Sequence, residues 1–183
     1  MANITFYELS TYNNGLLLPF TIDLDELSSE EEFNDAVQDC LQALKEKVIA
    51  GEFPHADIEY QGGYYTFEEY RVADSEDVPD KYVGEYSLDS EYWEYREAVE
   101  EHGAEVVDAA LSIGYELGSL EDYYEGHVEE KNDDAETLGE WAYQNDHLGE
   151  IPDHLEGYID WDSVGRDLNC SGWCVVKGHV FSV

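Results

Sequence analysis

The chain carries 45 Asp and Glu against 8 Lys and Arg, a formal net charge of −37 over 183 residues, and this imbalance constrains it more than any motif. Like charges repel in a compact state, so such a sequence folds only if burial of apolar surface outweighs the repulsion. High net charge with few aromatics would indicate a disordered chain. Here 15 Tyr, 6 Phe and 4 Trp supply the missing term, because each such side chain buries roughly 150–250 Å². With only 4 Pro and no homopolymer run, the sequence is that of a folded protein.

The charge is spread, not gathered in a tail. Residues 1–60, 61–120 and 121–183 carry net charges of −11, −13 and −13. An evenly acidic body excludes direct nucleic-acid binding, which needs a basic surface, and adhesion to an anionic membrane face. No apolar stretch approaches the roughly 18 residues of a membrane span, and the opening MANITFYELSTYNNG lacks the pattern of a secretory signal. A soluble intracellular protein is expected. The three cysteines, Cys40, Cys170 and Cys174, are odd in number and read as reduced thiols, not as a disulfide framework.

Periodicity gives an α+β class. Ile4–Leu9 and Leu16–Leu24, joined by Tyr12-Asn13-Asn14-Gly15, read as a hairpin, with Pro19 placing the second strand at an edge or bulge. Ser28 and Ser29, each followed three residues later by Glu, announce a helix with Phe33, Val37, Cys40, Leu41, Leu44 and Val48 on one face and Gly51 at its end. A strand at Ala56–Tyr60 completes a ββαβ-like unit. Residues 64–89 show no clear period and read as an irregular connection.

A second helix, capped by Ser90, carries Tyr92, Tyr95, Val99, Val106, Ala110, Ile113 and Leu117 on its apolar face. Glu94, Glu97, Glu101, Glu105 and Asp108 follow the same period on another face, over roughly 21 Å at 1.5 Å per residue. Acids four apart repel, and an ordinary solvated face interleaves them with lysine. Here Arg96 is the only base between Lys81 and Lys131.

Further helical starts are read at Ser119, Asp133 and Asp162, a turn at Pro152, and a terminal hairpin about Lys177-Gly178. The expected domains are 1–63 (N-terminal α/β), 64–118 (central, mainly helical) and 119–183 (C-terminal α+β).

Catalytic patterns are lacking. The sequence has no HExxH, Walker loop, GxGxxG or GxSxG. Asp160-x-Asp162 with Gly165 fails as a calcium loop, since Val164 and Ser171 occupy ligand positions. The six histidines lack ligand spacing. No enzyme, metal or cofactor is expected.

What remains is the charge itself. Duplex DNA carries one negative charge per roughly 1.7 Å, so 37 charges match about 63 Å, or about 18 base pairs. Carboxylates displayed on helices can occupy the lysines and arginines of a DNA-binding groove, and stray cations would spoil the imitation. DNA mimicry is the functional class that composition favours. The phosphate-like groups would be Glu94, Glu97, Glu101, Glu105 and Asp108, with Asp122, Glu125, Glu129 and Glu130 beyond them. A salt-adapted protein or enzyme, whose acidity serves solvation, is the alternative from another class.

Residues 148–168, LGEIPDHLEGYIDWDSVGRDL, followed by Ser171-Gly172, resemble the signature of the ArdA antirestriction family, LGE-[IV]-P-x-x-L-x-x-Y-[IF]-D-[YW]-x-x-x-GRDL. The opening, with Tyr12-Asn13-x-Gly15, is similar, and Ile58-Glu59-Tyr60 fits the family's N-terminal domain less tightly. The resemblance implies an inhibitor that occupies the DNA-binding groove of type I restriction–modification enzymes and blocks restriction without catalysis. It also implies an elongated chain of three small domains forming a homodimer through the C-terminal one. Such proteins are encoded by plasmids, transposons and phages and act in the bacterial host cytoplasm. Another DNA-binding defence, repair or nucleoid protein is the alternative target. Within the signature, Leu155, Tyr158, Ile159, Asp160, Trp161, Gly165, Arg166 and Asp167 are expected to serve the fold or the dimer, with Arg166 paired to a nearby carboxylate.

Overall fold

Phe6 organises the first half of the molecule. In a computed structural model that describes residues 1–13, 15–53, 66–129 and 133–182, the chain packs into two compact units, Met1–Trp93 and Glu94–Val183. In the first, strand β1 (Asn3–Glu8) points Ile4, Phe6 and Glu8 inward. The fully buried Phe6 ring lies 5.3 Å from Phe20, 6.1 Å from Phe33 and 4.9 Å from Tyr70, centroid to centroid. Those three rings come from β2 (Pro19–Asp23), α2 (Glu30–Ile49) and β3 (Tyr70–Glu76). One aromatic cluster thus ties the antiparallel sheet, ordered β2-β1-β3, to its covering helix.

The β1–β2 connection is longer than a hairpin turn, because α1 (Leu9–Asn13) intervenes. Its cause is Glu8. This carboxylate, fully buried, accepts hydrogen bonds from the backbone N–H of Ser10 (3.0 Å) and Thr11 (2.6 Å) and from Ser10 Oγ (2.5 Å). The first helical donors are satisfied as they are at an N-cap, and the chain coils before it returns. Pro19 opens the edge strand β2 opposite Tyr7, where its missing N–H costs no ladder bond.

Helix α2 buries Phe33, Val37, Leu41, Leu44 and Val48. Ser29 caps it by accepting from Glu32 N–H, and the Glu32 carboxylate reaches back to Ser28 N–H (2.7 Å) and Ser28 Oγ (2.9 Å). The reciprocal capping box is present with its return bond shifted to the residue before the cap.

Segment 64–89, expected to be an irregular connection, instead supplies β3, which pairs with β1 along Asn3–Glu8. Its partial burial follows no alternation, and the register slips at Thr5/Phe6, so no period-2 signal reaches the sequence. The strand expected at Ala56–Tyr60, with Gly62-Gly63 after it, lies outside the described residues.

The second unit is built on a sheet ordered β4-β6-β5, from β4 (Tyr124–His127), β5 (Cys174–Val176) and β6 (His179–Phe181). The terminal hairpin is present. Its two-residue turn, Lys177-Gly178, has φ of 49° and 76°, the pair of positive values that a type I′ turn requires. Successive residues of β6 face opposite ways. Phe181 joins Ala98, Val106, Val107, Ala109, Ala110 and Leu120, whereas Val180 joins Leu138, Trp141 and Ala142.

Helices α3 (Glu91–His102) and α4 (Ala104–Ser112) stand where one long helix was expected. Gly103, at φ 88°, breaks the run, a conformation in which other residues are strained. Beyond them come α5 (Leu120–Tyr123), α6 (Asp134–Gln144), α7 (Asp153–Glu156) and α8 (Trp161–Cys170).

Two outcomes test this account. Phe6→Ala should cost about 3–5 kcal/mol, measured by urea unfolding. Hydrogen bonds from Ser28 hold the Glu32 carboxyl below the usual carboxylate range. The cap's contribution is therefore complete above the ordinary carboxylate value and is lost as pH falls through the lowered one. Carboxyl-detected NMR should give Glu32 a midpoint below the ordinary glutamate value, and Ser28→Ala should raise it.

Candidate functional site

The acids expected to imitate phosphate lie at the surface. Glu94, Glu97 and Glu101 on α3, Glu105 and Asp108 on α4, Asp122 on α5, Glu125 on β4 and Glu129 just after it are all exposed; Glu130 lies outside the described residues. The break at Gly103 divides the first five into sets of three and two. Glu94 to Glu101 spans about 10 Å of unbroken helix, in place of a single 21 Å row. Asp108 accepts from Lys177 Nζ, and Glu125 from Ser182 Oγ. The α3 acids also meet a residue that periodicity missed, Glu121, across a cavity of about 170 Å³. Only the return of the chain through Leu117–Leu120 brings Glu121 there, so no spacing rule reveals it.

Five of the cations have partners within the chain. Arg71 donates to Tyr12 Oη at 2.6 Å, and its Nε lies 3.4 Å from Glu85, too oblique for a hydrogen bond. Lys81 sits 4.3 Å over the Tyr82 ring. Arg96 pairs with Glu100 one turn on, at 3.5 Å. Arg166 pairs with Asp162, also one turn away, and Lys177 with Asp108. Exposed pairs of this kind contribute little stability.

The signature segment divides by position. Asp160 caps α8 by accepting from Ser163 N–H at 3.2 Å and Ser163 Oγ at 2.8 Å. The Ser163 hydroxyl bond, ahead of the backbone bond, holds its carboxyl below the usual range. Trp161, half-buried, stacks on Tyr143 of α6 at 5.0 Å. Ile159 is half-buried and Asp167 exposed. Leu155 and Tyr158, by contrast, are 46% and 87% exposed, so Tyr158 joins no core among the described residues.

Gly165 decides how this segment is held. A Cβ built there would lie 1.7 Å from Ala135 O, and one built on Gly139 would lie 2.2 Å from Trp161 O. Helices α6 and α8 therefore cross backbone to backbone, each through a glycine of its own. The glycine of the GRDL tetrapeptide is a packing requirement, and Arg166 beside it is an intrahelical ion-pair partner.

A family model described as Antirestriction protein (ArdA) matches residues 7–181. The chain belongs to the ArdA family of antirestriction proteins. Among curated proteins a sequence search found no match. The family match runs across both compact units and includes the α6–α8 crossing and the signature. Antirestriction is opposition to restriction enzymes. Among the described residues no group of three or more His, Cys, Asp or Glu is placed to hold a metal ion. No helix among those residues is long and apolar enough to cross a membrane.

The crossing makes a sharp prediction. Gly165→Ala and Gly139→Ala should each destabilise the fold by about 1–3 kcal/mol or more, because backbone must move to admit the methyl group. Gly157→Ala, where a Cβ meets nothing within 4 Å, should be close to neutral. Denaturant midpoints of the three variants decide it.

Proposed function

We propose that this ArdA-family protein inhibits restriction as a DNA mimic, by occupying the DNA-binding groove of a type I restriction–modification enzyme. The observation that carries this reading is the display of exposed acids in both units, with Arg71, Arg96, Arg166 and Lys177 each beside a carboxylate of the same chain. A basic groove built for phosphates meets carboxylates and almost no opposing charge. Binding releases the groove's counterions and is steered at long range, as DNA binding is. The protein performs no chemistry in this reading. It acts in the cytoplasm of a bacterial host, carried there on a mobile element or phage. A homodimer joined through the C-terminal part, with exposed Leu155 and Tyr158 at the contact, would double the length of duplex imitated. Those two side chains are the large apolar groups that the signature leaves exposed to water.

Displacement is the direct test. Titrated into a type I enzyme bound to labelled duplex in dilute buffer, the protein should release the duplex stoichiometrically, and added salt should weaken its grip. Glu97→Gln, Glu101→Gln or Glu105→Gln alone should weaken inhibition only about twofold to fivefold, the scale of one exposed charge pair. A single substitution that abolished inhibition in a folded, normally assembled protein would refute distributed mimicry. Unfolding in that same dilute buffer would favour the salt-adapted alternative.

A further inference from the structure

Helices α3 and α4 are separated by a bend, yet one helical phase runs through both. On a single helix of 3.6 residues per turn, Ala98, Val99, Val106, Ala109 and Ala110 would fall within about a third of the circumference. Glu94, Glu97, Glu101, Glu105 and Asp108 would fall within about a quarter. The hydrogen-bond ladder also keeps its register. Gly103 N–H donates to Val99 O at 2.9 Å and Val107 N–H to Gly103 O at 3.2 Å, each a four-residue step. Between them, Ala104, Glu105 and Val106 open α4, and the donors of a first turn stand outside the ladder. Gly103 itself sits at φ 88° and ψ 151°, a region essentially closed to other residues. Space does not require a glycine there: among the described residues a Cβ would meet nothing within 4 Å. Burial is close to balanced as well. The bend buries Val107 completely and leaves Ile113 37% exposed. Continued without a bend, the helix would carry Ile113 onto the apolar face and Val107 to its flank.

A sequence whose apolar and acidic faces both stay in phase across a break is compatible with two arrangements of the same backbone. We propose that Glu94–Ser112 is a two-state hinge, bent at Gly103 in the free protein and continuous when the DNA-binding groove of the partner enzyme engages it. Straightening gathers the five carboxylates into one row of roughly 21 Å, the regular line that a groove shaped for phosphates can follow. The groove shifts the balance because it binds the continuous form more tightly than the bent one. The partner rests on the DNA-mimic reading; the hinge rests on backbone register and helical phase.

Gly103→Ala separates a hinge from a fixed corner. Alanine is preferred to glycine in a helix interior by roughly fivefold, and it is strained in the bend. In the free full-length variant, hydrogen exchange at the amides of Ala104, Glu105 and Val106 should slow by about fivefold or more, while the amides of β6 stay protected. A folded variant whose three amides exchange as in the wild type has a fixed corner, and the proposal is overturned. If the variant does not fold, the wild-type chain decides: binding to a type I enzyme should protect the same three amides, and unchanged exchange in the complex overturns the hinge. In the duplex-displacement assay the alanine variant should act at lower concentration than the wild type, by up to about fivefold. A glycine with a merely structural role would give equal or weaker displacement, which also overturns the proposal. Displacement by the wild type without protection of those amides removes the hinge and leaves mimicry standing. Wild-type protein that displaces no duplex removes the mimic reading and, with the partner, the proposal.

Discussion

Self-repulsion among 45 carboxylates is the constraint to which the rest of this structure answers. It is offset by concentrated aromatic burial. Phe6 gathers Phe20, Phe33 and Tyr70 in the first unit. In the second, Phe181 meets Tyr115 and Tyr124, each at 5.7 Å. Clusters of this kind add edge and stacking terms to the area they bury, which suits a chain that cannot rely on surface ion pairs. Arg71, Arg96, Arg166 and Lys177 lie beside carboxylates of the same chain, and with 8 bases against 45 acids the net charge stays strongly negative.

Several acids also hold the fold together. Glu8 caps α1 from a fully buried position, Glu32 closes the box on α2, and Asp133 and Asp160 cap α6 and α8. A carboxylate at a helix N-terminus is stabilised by the donors and dipole it faces. An extremely acidic composition therefore need not be extremely destabilising, provided some of the charge is placed where backbone donors are exposed. Other acids, Glu94, Glu97 and Glu121 among them, stand exposed at the surface.

The signature of the family takes on a physical meaning in this light. Asp160 starts α8, Gly165 lets it touch α6, and Arg166 ties back to Asp162. These residues build a platform, while the segment before it leaves Leu155 and Tyr158 in solvent. Recognition by charge is spread over the surface, so a local motif is better suited to fixing geometry than to binding.

Local signals were legible in the chain wherever one residue type acts on its own neighbours. The spacing of Phe33 to Val48, the Ser-x-x-Glu cap, the positive-φ turn at Lys177-Gly178 and the evenly distributed charge all follow from short-range chemistry. Pairing across distance was not legible. Strand β3 shows no alternation, and β4 is four residues long with Gly126 at a bulge. The row of acids read as one helix was divided by the conformation of Gly103. Tertiary structure alone brought Glu121 opposite α3 and made Gly139 and Gly165 meet their neighbours' backbones. Composition and local capping thus determined that this protein is folded, acidic and mixed α+β, because those properties are sums over nearby residues. Which carboxylates share a cavity, and which glycines cannot be replaced, was decided only by the fold, because both depend on separations that no sequence spacing encodes.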